Sequence, residues 1–320
     1  MVRQDGKRRD AEGAVPVAQW RIHIGAHKTA TTHLQETLSS VRDGLADCGI
    51  DFIPTQPLVR AQRLAEVVWQ RRPMARLPIF GPAHMRDAIE TLVEPVRIGP
   101  ETVVLSEENL LGLPHHILAA PFYPQATQRI GRLASLGLRA DLRLFLSIRS
   151  YDTLLPSAYA EALKHAAPPP GGFEGLRQRL LAAPPSWFDL VSRLRAAAPN
   201  VPLRVWRQED YRANDRSIME MLCGSPLGPL PKLPDPARTR SPSAAAIAVA
   251  EALPADLSYQ ERLARVREIY AVVEPREARF QPFDKAERRR LRAGYEADLE
   301  RIAQVFPDML MAFETRELAA

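Results

Sequence analysis

The chain has 320 residues, 46% apolar and 25% charged, enough to bury a substantial core as one large domain. Its two cysteines make no disulfide framework, no Cys/His group has zinc-ligand spacing, and no apolar run is long enough to span a bilayer. The net charge of +5 does not point to nucleic acid, because the arginines are scattered and no nucleic-acid-binding motif accompanies them.

Met1 to Val17 is polar and basic, lacks the apolar segment of a secretory signal, and reads as a disordered leader before a single domain over 18–320. Trp20 to Ile24 is a short apolar strand. After a loop, Leu34, Leu38, Val41 and Leu45 recur on one helical face, with Gly49 placed as a C-cap. Ile50 to Ile53 reads as a strand, and Leu58 to Arg72 and His84 to Val93 as helices. Thr102 to Ser106 is a buried-strand run with Glu107, Glu108 and Asn109 at its end. A looser stretch, Leu113 to Pro124, leads to a helix over Thr127 to Leu136. Leu142 to Ile148 is a strong strand closed by Arg149, and Tyr151 to His165 a helix. Pro168 to Gly172 is a break, and Ser186 an N-cap for the next helix. Val201 to Trp206 is a further strand, with Arg207 to Asp210 as an acidic turn. A Pro-rich loop over Gly224 to Pro242 precedes helices over Ser243 to Ala252, Tyr259 to Val273 and Asp284 to Val305.

Strands alternating with helices predict an α/β fold: three α/β/α layers around a mostly parallel sheet, with a helical C-terminal part over about 243–320. Such sheets bind ligands at the carboxyl ends of their strands.

The loop Gly25-Ala26-His27-Lys28-Thr29-Ala30-Thr31-Thr32 lies at one such end. A strand, a loop with a lysine and then a helix is how a chain builds an anion cradle. The helix begins with unpaired N–H groups, its dipole favours negative charge, and Lys28 adds a full positive charge. The spacing is not that of the Walker A loop, which places Lys directly after its second Gly. At another strand end, Arg149 offers a planar fork of donors suited to phosphate, and Ser157 follows eight residues later, with Tyr159 beyond it.

The G-x-x-K-T-x-T-T pattern resembles the 5′-phosphosulfate loop of the sulfotransferases that use 3′-phosphoadenosine 5′-phosphosulfate (PAPS). The Arg149-to-Ser157 spacing resembles their 3′-phosphate motif. Family members usually carry Gly where this chain has Ala30, a substitution that is strained if the residue needs positive φ. The resemblance implies a P-loop-like nucleotide-binding fold and PAPS as co-substrate without a metal. It also implies transfer of a sulfuryl group by in-line displacement to a hydroxyl or amine of a small-molecule, carbohydrate or lipid acceptor. Lys28 would stabilise the leaving phosphate, with Gly25, His27, Thr29, Ala30, Thr31 and Thr32 completing the cradle. Arg149 and Ser157 would take the 3′-phosphate, helped by Arg238 and Arg240, and Glu107 or Glu108 would be the base. The acceptor would meet Leu58 to Pro100, Leu113 to Gln125 and Gly171 to Pro185. His33 reads as a helix-face residue, His23 as structural, and His115 and His116 as exposed loop residues.

Two other readings use the same residues. A P-loop kinase or nucleotide triphosphatase would need a magnesium-binding Asp at a strand end, and no strand here ends in one. A binding protein would keep PAPS or its product without turnover. Cysteine usage points to a reducing cytoplasm, and nothing implies nucleic acid or integral membrane association.

Overall fold

Apolar runs such as Val103-Val104-Leu105 suit strands that are covered on both faces. The computed structural model describes residues 19–53, 102–135, 141–231, 241–272 and 278–313. Its strands are β1 (Gln19–His23), β2 (Ile50–Ile53), β3 (Thr102–Ser106), β4 (Leu142–Ile148) and β5 (Leu203–Arg207). They form one all-parallel sheet in the order β2-β3-β1-β4-β5. The expected leader, the helices over Leu58 to Arg72 and His84 to Val93, and Arg238 and Arg240 lie outside the described residues.

The period of two along each strand divides the interior. Trp20, Ile22, Val103, Leu105, Leu144, Leu146 and Val205 enter the larger core. It is covered by α3 (Ala126–Ser135), α4 (Tyr151–Ala162), α5 (Gly172–Ala182), α6 (Trp187–Ala197), α8 (Ala244–Glu251), α9 (Tyr259–Ala271) and α10 (Lys285–Val305). Phe52, Val104, Phe145 and Trp206 point the other way, against α1 (Thr31–Ser40), α2 (Arg42–Asp47) and α7 (Gln208–Cys223). The fold is therefore α/β in three layers, as the alternation predicts. No helix among the described residues is long and apolar enough to cross a membrane.

Local signals account for most boundaries. The Ser186 hydroxyl accepts from the Asp189 amide, and Ser258 with Glu261 and Asp284 with Glu287 form reciprocal capping boxes. Gly49 has φ +74° beyond the end of α2, as a C-cap requires. Three expectations need correction. Val41, at φ −111° and ψ 16°, breaks the first helix in two. The helix from Tyr151 ends at Ala162, short of His165. The acidic turn at Arg207 to Asp210 leads directly into α7, which was not expected. Tyr211 is buried before a non-helical Asn214 (φ −130°, ψ 18°) and Ile218, Met219, Leu222 and Cys223 beyond it, so a kink interrupts the helical period.

Two buried polar clusters pin the outer layers to the sheet. From β1, Arg21 donates through Nε to the carbonyl of Leu222 (2.8 Å) and through Nη2 to that of Met221 (2.5 Å), capping the C-terminus of α7. Asp298 of α10 accepts from Tyr151 Oη (2.5 Å) and Ser186 Oγ (3.1 Å), tying α10 to the starts of α4 and α6.

The strand order has a functional consequence. The chain leaves β1 toward the β3–β2 side of the sheet and leaves β4 toward β5 on the other side. Connections that diverge from adjacent strands open a crevice between their carboxyl ends. The loop after β1 and Arg149 after β4 lie at that crevice.

Candidate functional site

The loop begins at Gly25, where a Cβ would stand 2.4 Å from the His23 ring and 3.0 Å from Ser147 Oγ. Glycine is needed here for room. Further on, Lys28 (φ 68°) and Ala30 (φ 69°) both lie in the left-handed region, on either side of Thr29. Each costs about 1 kcal/mol or more in a residue with a Cβ, a strain that persists only where the surroundings hold it. Ala30 is thus strained. The fixings are visible: Arg149 Nη1 donates to the Lys28 carbonyl (2.8 Å), the Leu34 amide donates to the Ala30 carbonyl (3.2 Å), and Thr29 Oγ1 donates to the Ala26 carbonyl (2.5 Å).

This conformation leaves a row of open donors. The backbone N–H groups from Lys28 to His33 find no acceptor among the described residues. Thr31 Oγ1 is buried with no hydrogen-bond partner, and Thr31 is 4% exposed. Buried backbone donors are rarely left unpaired. Successive amides around left-handed residues at a helix start form a concavity that favours an anion. Thr32 is exposed at its edge. Thr29 does not offer its hydroxyl there, because that group is turned inward.

Behind the loop runs a buried polar chain. Gln35 Nε2 donates to Ser106 Oγ (3.3 Å), which lies 2.8 Å from His23 Nδ1; His23 Nε2 lies 3.2 Å from Ser147 Oγ, which lies 2.5 Å from Thr29 Oγ1. The Thr29 proton is committed to Ala26, so Ser147 donates to Thr29, His23 Nε2–H donates to Ser147, and Ser106 donates to Nδ1. His23 is thereby a neutral strut, stacked on Trp206 at 4.9 Å, and burial pushes its pKa down to about 3.

The facing wall is α4. Thr153, Ser157 and Glu161 recur every fourth residue, so they form one stripe, and each is half-buried. At its head, Arg149 Nε donates to Thr153 Oγ1 (2.9 Å). At its foot, Lys28 Nζ donates to Glu161 Oε2 (3.1 Å). Ser157 lies between, with no hydrogen bond of its own among the described residues. Burial would raise the Glu161 carboxyl, but the neighbouring His165 ring and the charges of Lys28 and Lys164 hold it well below the usual range. Burial lowers the Arg149 pKa, opposed by Glu209 and Asp152. Glu209, the first acidic residue of α7, also accepts from the Ser150 amide (2.8 Å) and Tyr295 Oη (3.0 Å), bracing the strand end next to Arg149.

The two carboxylates after β3 differ in kind. Glu107 is 4% exposed and accepts from the amide (2.8 Å) and side chain (2.6 Å) of Asn109, as the cap of a 3-10 turn. Burial raises its pKa, and those two hydrogen bonds oppose the rise. Glu108 is the freer group. A third of its side chain reaches solvent. Burial pushes its pKa up to about 7, against the pull of Lys28 and the tempering of the nearby Thr31 hydroxyl, which faces it without completing a hydrogen bond. His27 is held by Tyr123. Its amide donates to Tyr123 Oη (3.2 Å), Tyr123 Oη lies 3.1 Å from its Nδ1, and its Nε2 meets Asn109 Oδ1 at 3.4 Å and Glu108 Oε1 at 4.0 Å. Burial lowers its pKa to about 4, so it is neutral beside Glu108.

The crevice therefore gathers Lys28, the amides of Lys28 to Thr32, Thr31, Arg149, Ser157 and Glu108. Gly25, His27 and Glu107 support it. His33 is engaged with Tyr211 Oη at 3.0 Å. Sequence reasoning missed Glu161 and Glu209. The four-residue spacing from Thr153 was the available signal for Glu161; Glu209 carries none, because its role depends on where β5 pairs. A separate apolar cavity of about 430 Å³, lined in part by Leu118, Tyr159, Ala162 and Leu176, lies across α4 from the Thr153–Glu161 stripe. No protein-family model matches the chain, and neither a curated protein nor a solved structure shows significant similarity to it.

Proposed function

We propose that this protein is a PAPS-dependent sulfotransferase, moving a sulfuryl group to an acceptor hydroxyl or amine. The observation that carries the reading is the row of unpaired amides from Lys28 to His33, closed by the buried, unpartnered Thr31 hydroxyl and flanked by Lys28. A donor set of this kind fits a phosphosulfate. PAPS would supply a sulfuryl group already activated by a phosphate leaving group.

The chain's own residues have separable tasks. The amides and Thr31 hold the anionic oxygens. Lys28 places its charge where negative charge grows on the leaving oxygen, a stabilisation that is large in a site shielded from water. Arg149, just before α4, and Ser157, midway along it, suit a second phosphate, which favours a nucleotide with a 3′-phosphate. Arg238 and Arg240 remain proposed as further contacts to it. Glu108, with its carboxyl near neutrality, takes the acceptor's proton; a base is most effective when its pKa lies near the working pH. Glu107, locked onto Asn109, positions the turn that carries Glu108. A reducing cytoplasm and a small-molecule, carbohydrate or lipid acceptor remain part of the proposal.

The test is calorimetry with 3′-phosphoadenosine 5′-phosphate, followed by an acceptor screen with labelled PAPS. Binding that is lost in Lys28→Ala, together with label transfer, supports the reading. Tight binding without transfer to any acceptor shifts it to a binding protein. Magnesium-dependent ATP turnover in place of PAPS binding moves it to a kinase or triphosphatase.

A further inference from the structure

Lys28 is engaged before any anion arrives. Its ammonium lies 3.1 Å from Glu161 Oε2, at the foot of the stripe whose head holds Arg149. The partner is unusual in being shared. Glu161 Oε2 also accepts from Lys164 Nζ at 2.9 Å, and Glu161 Oε1 lies 3.7 Å from His165 Nε2. Glu161 is half-buried, so removing its last cation would leave a costly unpaired charge. Lys164 and His165 avert that cost, because the carboxylate stays paired when Lys28 leaves. Lys28 has the opposite situation: among the described residues its ammonium makes no second hydrogen bond, and only its charge reaches a further carboxylate, that of Glu108. A half-buried pair in which one member has spare hydrogen-bond partners and the other has none is a two-position device.

We propose that Glu161 is a positioning residue that parks Lys28 away from the loop amides and releases it only to a strongly anionic phosphate group. The proposal rests on the reading of the loop as a phosphate cradle. The energetic difference between the two positions of Lys28 is set by how much negative charge the ligand offers relative to Glu161, so the parked state disfavours weakly charged anions. The Ser157 hydroxyl, one turn before Glu161, makes no hydrogen bond among the described residues.

The experiment is a double-mutant cycle read by calorimetry with inorganic pyrophosphate, using the wild type, Glu161→Gln, Lys28→Met and the double variant. Glu161→Gln is expected to tighten pyrophosphate roughly tenfold, within the range of ordinary coupling between sites. In the Lys28→Met background the same change is expected to alter affinity less than about twofold, because no ammonium remains to be released. Binding abolished by Lys28→Met and not restored in the double variant supports the proposal equally. An equal gain in both backgrounds overturns it, since simple removal of a repelling charge then suffices. No gain from Glu161→Gln, in a protein whose melting temperature is unchanged, also overturns it while leaving the cradle intact. Absence of Lys28-dependent binding in both the wild type and Glu161→Gln overturns the cradle reading and this proposal with it.

Discussion

Arg149 Nη1 donates to the carbonyl oxygen of Lys28 at 2.8 Å, so the residue that closes β4 holds the loop of β1 in its left-handed turn. The guanidinium uses Nε on Thr153 for the same purpose, at 2.9 Å. A lysine cannot make both contacts with fixed geometry. Arg149→Lys is therefore expected to weaken binding of 3′-phosphoadenosine 5′-phosphate by about tenfold, with the melting temperature nearly unchanged. Full affinity in that variant would remove Arg149 from the site.

Glu108 is expected to govern the pH profile of turnover. Its carboxyl titrates near 7, and only the ionised form accepts a proton, so the rate should rise as pH increases through about 7. Glu108→Gln should cut turnover by about a hundredfold or more and flatten that limb, whereas Glu107→Gln should act mainly on stability. The same shift has a stability sign. A carboxyl raised in the folded state costs stability as pH rises from its ordinary 4.5 toward 7. Relative to the wild type, Glu108→Gln should therefore grow more stable over that window in urea titrations.

Acid should unfold this protein along a curve with a break. His23 and His27 have folded pKa values near 3 and 4 against an ordinary 6.5, so the unfolded chain takes up protons that the folded one refuses as pH falls below 6.5. Above 4.5 the raised carboxyls of Glu107 and Glu108, the latter up to about 7, oppose this loss. Below 4.5 that opposition ends and the lowered Glu161 carboxyl joins the histidines. Stability should then fall by up to about 1.4 kcal/mol per pH unit for each group. Urea midpoints at a series of pH values read this directly, and a slope with no steepening below 4.5 would refute it.

The two small residues of the loop should respond in opposite directions. Gly25→Ala drives a methyl into the His23 ring and should cost about 1–3 kcal/mol, as overpacked cores do. Ala30→Gly relieves a strained φ of 69° and should add up to about 1 kcal/mol, a rise of about 2 °C in melting temperature. Thermal unfolding of the pair decides. A stabilising Gly25→Ala would mean the loop is looser than its contacts indicate.

The α/β layering was legible because the strands are short, apolar and separated by helical periods. The register of β1 against β4 was not, although it is what brings Arg149 to the Lys28 carbonyl. Residues whose chemistry is local, such as Lys28 and the Ser186 cap, could be placed from sequence. Glu161 and Glu209 could not, since each acts across more than fifty residues of chain. Gly25 could be placed in the loop from sequence, but its need for room could not: its neighbour is a buried imidazole, a contact invisible without the pleat that points His23 and Ser147 to one side.

The direction of the protons behind the loop bears on what this fold does not do. A histidine between two serines at strand ends has the outward composition of a hydrolytic dyad. A nucleophilic serine must give its proton to the imidazole. Here Ser147 receives one from His23 and passes its own to Thr29, and the ring's lone pair is occupied by Ser106. Reversing the flow would strip the Ala26 carbonyl of its donor and turn every hydroxyl in the chain at once. Ser106 and Ser147 are spectators to acyl chemistry, and their polarity keeps the loop above them in register.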